Sequence, residues 1–164
     1  MGKLNNNIRW IDGNIYFGVV ITIKIERKMA NMNERFDDQT LLALDYALDE
    51  AMQKLSSMHE LCPFLVMCDA SGMYVSDHDY EDAHQMYQSM AQALTDMEYC
   101  SYIAVYDGQI DTDDGVVDAI TCEYAAKQDA VSQVLALPYT FENDEFVFSD
   151  GIGEVGNAEN LFSL

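Results

Sequence analysis

The chain has 164 residues, 49% of them apolar, which suits one domain with a single core and rules out intrinsic disorder as a description of the whole. Lys and Arg number 8 against 29 Asp and Glu, a formal net charge of −21 with the histidines neutral. Such a surface repels phosphate backbones and anionic membranes, so direct nucleic-acid binding and membrane association are set aside, and it attracts basic proteins or cations.

The charge is unevenly spread. Residues 1–35 hold six bases (Lys3, Arg9, Lys24, Arg27, Lys28, Arg35) and three acids (Asp12, Glu26, Glu34), and residues 36–164 hold the other 26 acids with only Lys54 and Lys127, a net −24. We therefore expect a leader, 1–35, ahead of a single acidic domain, 36–164. In the leader the apolar run Ile15–Ile25 is shorter than the about 20 residues a bilayer needs, and Thr22 and Lys24 interrupt it. Ile21, Ile23 and Ile25 alternate with polar residues, which would suit an added edge strand. The alternative is that translation begins at Met29 or Met32, because the codons for Glu26-Arg27-Lys28 must be purine-rich, as a ribosome-binding site would be.

Asp37 or Asp38 can cap a helix running to about Met58, with Leu41, Leu44, Leu48, Ala51, Met52 and Leu55 at steps of three and four along one face. Pro63 cannot continue it. Phe64–Cys68 is a short apolar run expected as a buried strand, Asp69–Gly72 is a turn in which Gly72 can take positive φ, and Met73-Tyr74-Val75 is the return strand. Ser76 or Asp77 then caps a second helix with the stripe Tyr80, Ala83, Tyr87, Met90, Leu94 and Met97. After Cys100 the period changes to two, predicting strands over SYIAVYD, VVDAITCEYAA, AVSQVLALPYTFE and EFVFS, with turns at Lys127–Asp129 and Asn143-Asp144. The order predicts a two-layer α+β domain: a mostly antiparallel meander of four to six strands with two amphipathic helices packed on one face.

Between two of these strands lies the most acidic stretch, YDGQIDTDDGVVDAI, read as an exposed hairpin connection with Gly108 and Gly115 supplying special backbone geometry. Its residues Tyr106, Asp107, Asp111, Asp113, Asp114 and Asp118 form the candidate interaction surface. The calcium-loop pattern fails there. Placing Asp111 and Asp113 at its first and third positions puts Gly115 at the fifth and Cys122 at the twelfth, where glycine at the sixth and glutamate at the twelfth are needed. A second cluster, SDHDYEDAHQ, offers His78, Glu81 and His84 as metal-ligand candidates, although acids at a helix start with exposed histidines explain it without a metal. The GIGEVG of residues 151–156 matches a dinucleotide-binding turn, but only eight residues follow it, too few for the helix and second strand that the chemistry requires. A C-terminal turn is the expectation. Cys62, Cys68, Cys100 and Cys122 show no C-x-x-C spacing and read as free, buried thiols of a reducing cytoplasm. Tyr99, Tyr102, Tyr106 and Tyr124 lie in strand runs, where any on the solvent face would make an aromatic contact patch.

The run AVYDGQIDTDDGVVDAITCEYAA, followed by SQVLALPYTFE, resembles a family of small acidic bacterial proteins of unknown function. The shared features are a Tyr-Asp-Gly turn and a later Asp-Ala pair ahead of a strand ending in acids. This chain departs from that pattern at Val116-Val117, where basic residues are expected, and the family implies no activity and no cofactor. The expected function is a cytoplasmic, non-enzymatic interaction protein docking on a basic partner, of the immunity, anti-restriction or chaperone-like kind. The alternative is a metal-binding protein or metal-dependent enzyme using the Asp77–His84 cluster or the Asp107–Asp118 loop.

Overall fold

The structure is a computed structural model and describes residues 36–164, so the readings of the leader as an edge strand or as upstream of Met29 or Met32 lie outside the described residues. Helix α1 spans Asp38–Met58. The Asp37 carboxylate caps it, Oδ1 accepting from the Thr40 amide at 2.7 Å. At the other end His59 takes a left-handed conformation (φ 58°) and its amide donates to the Leu55 carbonyl at 2.9 Å, closing the last turn ahead of Pro63. The stripe Ala43, Leu44, Ala47, Leu48, Ala51 and Leu55 is buried, as helical spacing requires.

Strands β1 (Phe64–Cys68) and β2 (Met73–Asp77) form a short hairpin. Its turn is made by the Asp69 carboxylate, whose Oδ1 accepts from the Ser71 and Gly72 amides at 2.7 and 3.0 Å, not by a positive φ at Gly72. Ser76 and Asp77 belong to β2, so they do not cap the second helix. That helix, α2 (Ala83–Thr95), starts at Asp82, which accepts from the Gln85 amide at 2.9 Å. Its buried face is Met86, Met90 and Leu94, and Tyr80 and Met97 fall outside it and are exposed.

Strands β3 (Ser101–Thr112) and β4 (Gly115–Ala126) form a long hairpin, followed by β5 (Val131–Glu142), β6 (Glu145–Phe148) and β7 (Gly153–Glu159). The sheet is antiparallel in the order β2-β1-β3-β4-β5-β6, with β7 also on β5, giving seven strands where four to six were expected. The GIGEVG stretch runs into β7 and is not a C-terminal turn. The outer edge of β5 changes partner from β7 (through Ala136↔Gly153) to β6 (from Tyr139↔Phe148). Pro138, which has no amide proton to offer a ladder, sits in that gap, its carbonyl accepting from Ser149 at 2.9 Å. The turn from β5 to β6 puts Asn143 and Asp144 at φ 51° and 65°, the doubly left-handed geometry of the tightest hairpins.

The α+β class and the antiparallel meander hold. The two helices, however, lie on opposite faces. Phe64, Val66, Ile103, Val105, Ile120 and Leu135 meet α1, and the alternate residues Leu65, Met67, Tyr102, Ala104 and Tyr106 meet α2. Side chains alternate along a strand, so strands apolar at every position, such as Phe64–Cys68, need cover on both sides. The result is three layers, with α1 and α2 sandwiching the inner strands. The chain end is fastened to the α2 side: Asn160 Nδ2 donates to the Ala126 and Asp129 carbonyls at 3.0 and 2.8 Å, and the Leu161 amide donates to the Tyr102 hydroxyl at 3.0 Å. Among the described residues no helix is long and apolar enough to cross a membrane.

Candidate functional site

The β3–β4 hairpin carries the acidic stretch, but most of that stretch is strand. Its turn is Asp113-Asp114, closed by Gly115 at φ +120° and by Thr112, whose hydroxyl donates to the Gly115 carbonyl at 2.8 Å and accepts from the Asp114 amide at 3.3 Å. Gly108 has a different task from the one expected. It lies mid-strand opposite Ala119, and a Cβ there would sit 2.6 Å from Thr121 Oγ1, so the glycine allows close packing and makes no turn.

Strand alternation divides the six candidate residues. Asp111, Asp113 and Asp114 are exposed at the tip, and among the described residues no ion pair involves them. Asp118 is half-buried and its Oδ1 accepts from Gln109 Nε2 at 3.1 Å. Tyr106 and Asp107 are corrections: both are buried in the body of the sheet, at 0% and 8% exposure, and form no part of an exposed tip. Tyr106 faces α2, whereas Asp107 faces the α1 side, where its Oδ1 accepts from the Tyr139 hydroxyl at 2.7 Å. Burial, then the Asp107 carboxylate, pushes the Tyr139 phenol upward, so it stays a donor.

On the α1 face, beyond the helix end, the register assembles a mixed grid. One row is Gln109, Asp118, Tyr139 and Phe148; beyond it the β4–β5 pairing ends, and the same face carries the pair Asp111 and Val116 on the hairpin and, separately, the pair Phe141 and Phe146 on β5 and β6. The rings of Phe141 and Phe146 are 4.7 Å apart, and His59, held at the end of α1, meets both edge-on at 5.6 Å. The aromatic surface at this end of the α1 face is thus phenylalanine. The tyrosines singled out by sequence are internal: Tyr99, Tyr102 and Tyr106 are buried and Tyr124 is half-buried against the core.

The second cluster does not assemble. His78 is buried with both ring nitrogens engaged, Nε2 with Ser76 Oγ at 2.7 Å and Nδ1 with Ser89 Oγ at 2.8 Å, and burial lowers its pKa. Glu81 and His84 are exposed, and among the described residues no three His, Cys, Asp or Glu side chains are placed to hold a metal ion. All four cysteines are free thiols; Cys68 and Cys122 are buried, but Cys100 is exposed, contrary to the expectation for it.

Sequence reasoning missed a buried polar cluster on the α2 side. Glu123 of β4 is 0% exposed, and its Oε1 accepts from the Tyr106 hydroxyl at 2.5 Å and the Tyr87 hydroxyl at 2.6 Å. Among the described residues its Oε2 has no hydrogen-bond partner. Burial raises the Glu123 pKa, and the two phenol bonds oppose that rise. The signal was a lone acid within the apolar run AITCEYAA, where a solvent-facing glutamate would have been equally natural. The cluster ties α2, β3 and β4 together. Comparison with protein-family models, with curated proteins and with solved structures gives no match for this chain.

Proposed function

We propose that the protein is a non-enzymatic interaction module whose acidic surface docks on a basic protein partner. The observation that supports this reading is the hairpin tip: three aspartates held out in water without an ion-pair partner among the described residues, on a region where 26 acids face two bases. One of those bases is already occupied, because Lys54 lies 3.0 Å from Asp77 and 3.7 Å from Glu50. Like charges concentrated on a rigid hairpin are costly to the free domain and gain when a cationic surface approaches, which also accelerates encounter.

The test is binding of cationic against anionic probe proteins of similar size, followed from low salt to about 1 M, where the Debye length falls to about 3 Å. Cationic probes are expected to bind and to dissociate as salt rises. Neutralising the tip by Asp111→Asn, Asp113→Asn and Asp114→Asn together should weaken that binding without lowering the melting temperature, since the three side chains are exposed. Failure of every cationic probe to bind at low salt would overturn the reading.

A further inference from the structure

We propose that the distal end of the α1 face is a docking site for an arginine-bearing segment of that basic partner. The inference rests on the interaction-module reading and specifies its chemistry. Its starting point is apolar, not acidic. Val116 is 61% exposed and Phe141 49% exposed, on the same face of β4 and β5. Single exposed apolar residues are ordinary on protein surfaces. Here Phe141 adjoins Phe146 and the edge of His59, so its exposure belongs to a patch with two phenylalanine rings at its centre. Phe146 packs against the core beneath, which fixes the patch in position, whereas Phe141 stands outside every core cluster. A phenylalanine held that way contributes little to the fold and offers its ring to a visitor.

Charge decides what kind of visitor. The patch is flanked by Glu60, which follows His59 in the chain, and by Asp144 in the β5–β6 turn, both exposed; Glu142 and Glu145 form the next pair along and alternate to the opposite face. Neither described base is beside it. Lys54 reaches Asp77 and stacks over Phe64, and Lys127 follows β4 at the opposite end of the hairpin, its amide bonded to Cys100. An anionic or purely apolar partner would desolvate these acids without compensation. A cation over aromatic rings with carboxylates at its edge is compensated twice. Arginine suits this better than lysine, because a planar guanidinium lies flat on a ring while its N–H fork faces carboxylates, whereas an ammonium is compact and strongly hydrated.

The experiment compares oligo-arginine and oligo-lysine peptides of equal length binding to the full chain at low salt by fluorescence anisotropy. Ring stacking is expected to favour the arginine peptide by about fivefold. In Phe141→Leu with Phe146→Leu, which keeps apolar bulk and removes the rings, that ratio should fall to about one while both peptides still bind. Phe141→Leu alone, at a half-exposed position outside the core, should narrow the ratio in the same direction and guards against misfolding of the double variant. Equal binding of the two peptides by the wild type, or an undiminished ratio in both leucine variants, would overturn this inference and leave the interaction-module reading standing. Binding of neither peptide would overturn both.

Discussion

Replacing Glu123 by glutamine tests the chemistry of the buried cluster most directly. In the folded chain the side chain is 0% exposed, and that burial raises its pKa above the 4.5 of a free glutamate, while the two phenol hydrogen bonds accepted by Oε1 oppose the rise. Between 4.5 and the folded value, the folded state keeps a proton that the unfolded state has released. The stability contributed by this group is therefore complete below 4.5 and is lost as pH rises through the folded value. Glutamine accepts the same two phenol bonds and never ionises. The stability of Glu123→Gln minus that of wild type should increase with pH, by about 1.4 kcal/mol for each unit separating the folded and unfolded values, and level off above the folded one. At the acid end the variant should lie below wild type by about 1–3 kcal/mol, because its amide buries N–H donors where Oε2 had no partner among the described residues. Urea denaturation of both proteins in steps from about pH 5 to about pH 9 measures the difference, in which all other titrating groups cancel. A difference that is flat across that range, or that turns increasingly against glutamine, would refute a raised Glu123 pKa.

Three further outcomes are expected. Gly108→Ala places a methyl group against Thr121 Oγ1 and should lower stability by about 1–3 kcal/mol; adding Thr121→Ala removes the clashing atom, so a double-mutant cycle should show a favourable coupling. At the β5–β6 turn, Asn143→Val forces a β-branched residue into a left-handed conformation and should cost about 1–2 kcal/mol by thermal unfolding, whereas Asp144→Gly should be neutral or stabilising. His78 has its pKa lowered from 6.5 by burial, so below 6.5 the unfolded chain takes up a proton that the folded chain refuses and stability falls with pH. His78→Asn should flatten that acid-side slope, measured as the difference between wild-type and variant denaturation midpoints from about pH 7 to about pH 5.

The elements with strong local signals were readable in advance. Helix α1 has an aspartate cap, a stripe at helical spacing and a proline beyond its end, and each acts within a few residues of chain. The long strands were readable from period two, and Asn143-Asp144 from turn chemistry. The start of α2 was not, because residues 76–82 contain several side chains able to cap a helix. Pairing of Asp77 with Phe64 keeps Ser76 and Asp77 in β2 and leaves Asp82 as the cap. The acidic stretch divides for a similar reason. Asp107 is drawn inside by a hydroxyl 32 residues away on β5, and no local pattern distinguishes it from Asp111.

By itself the sequence determined the charge, the α+β class, the order of the helices and of the first six strands and the acidity of the hairpin tip, all consequences of composition or of interactions between near neighbours. Tertiary structure alone decided that the helices cover opposite faces, that Tyr106 and Glu123 meet beneath α2, and that His59, Phe141 and Phe146 share one patch. Each of these depends on strand register and on which face of the sheet a side chain takes. A slip of one residue would reverse every facing, so these properties belong to the paired sheet and not to any single strand.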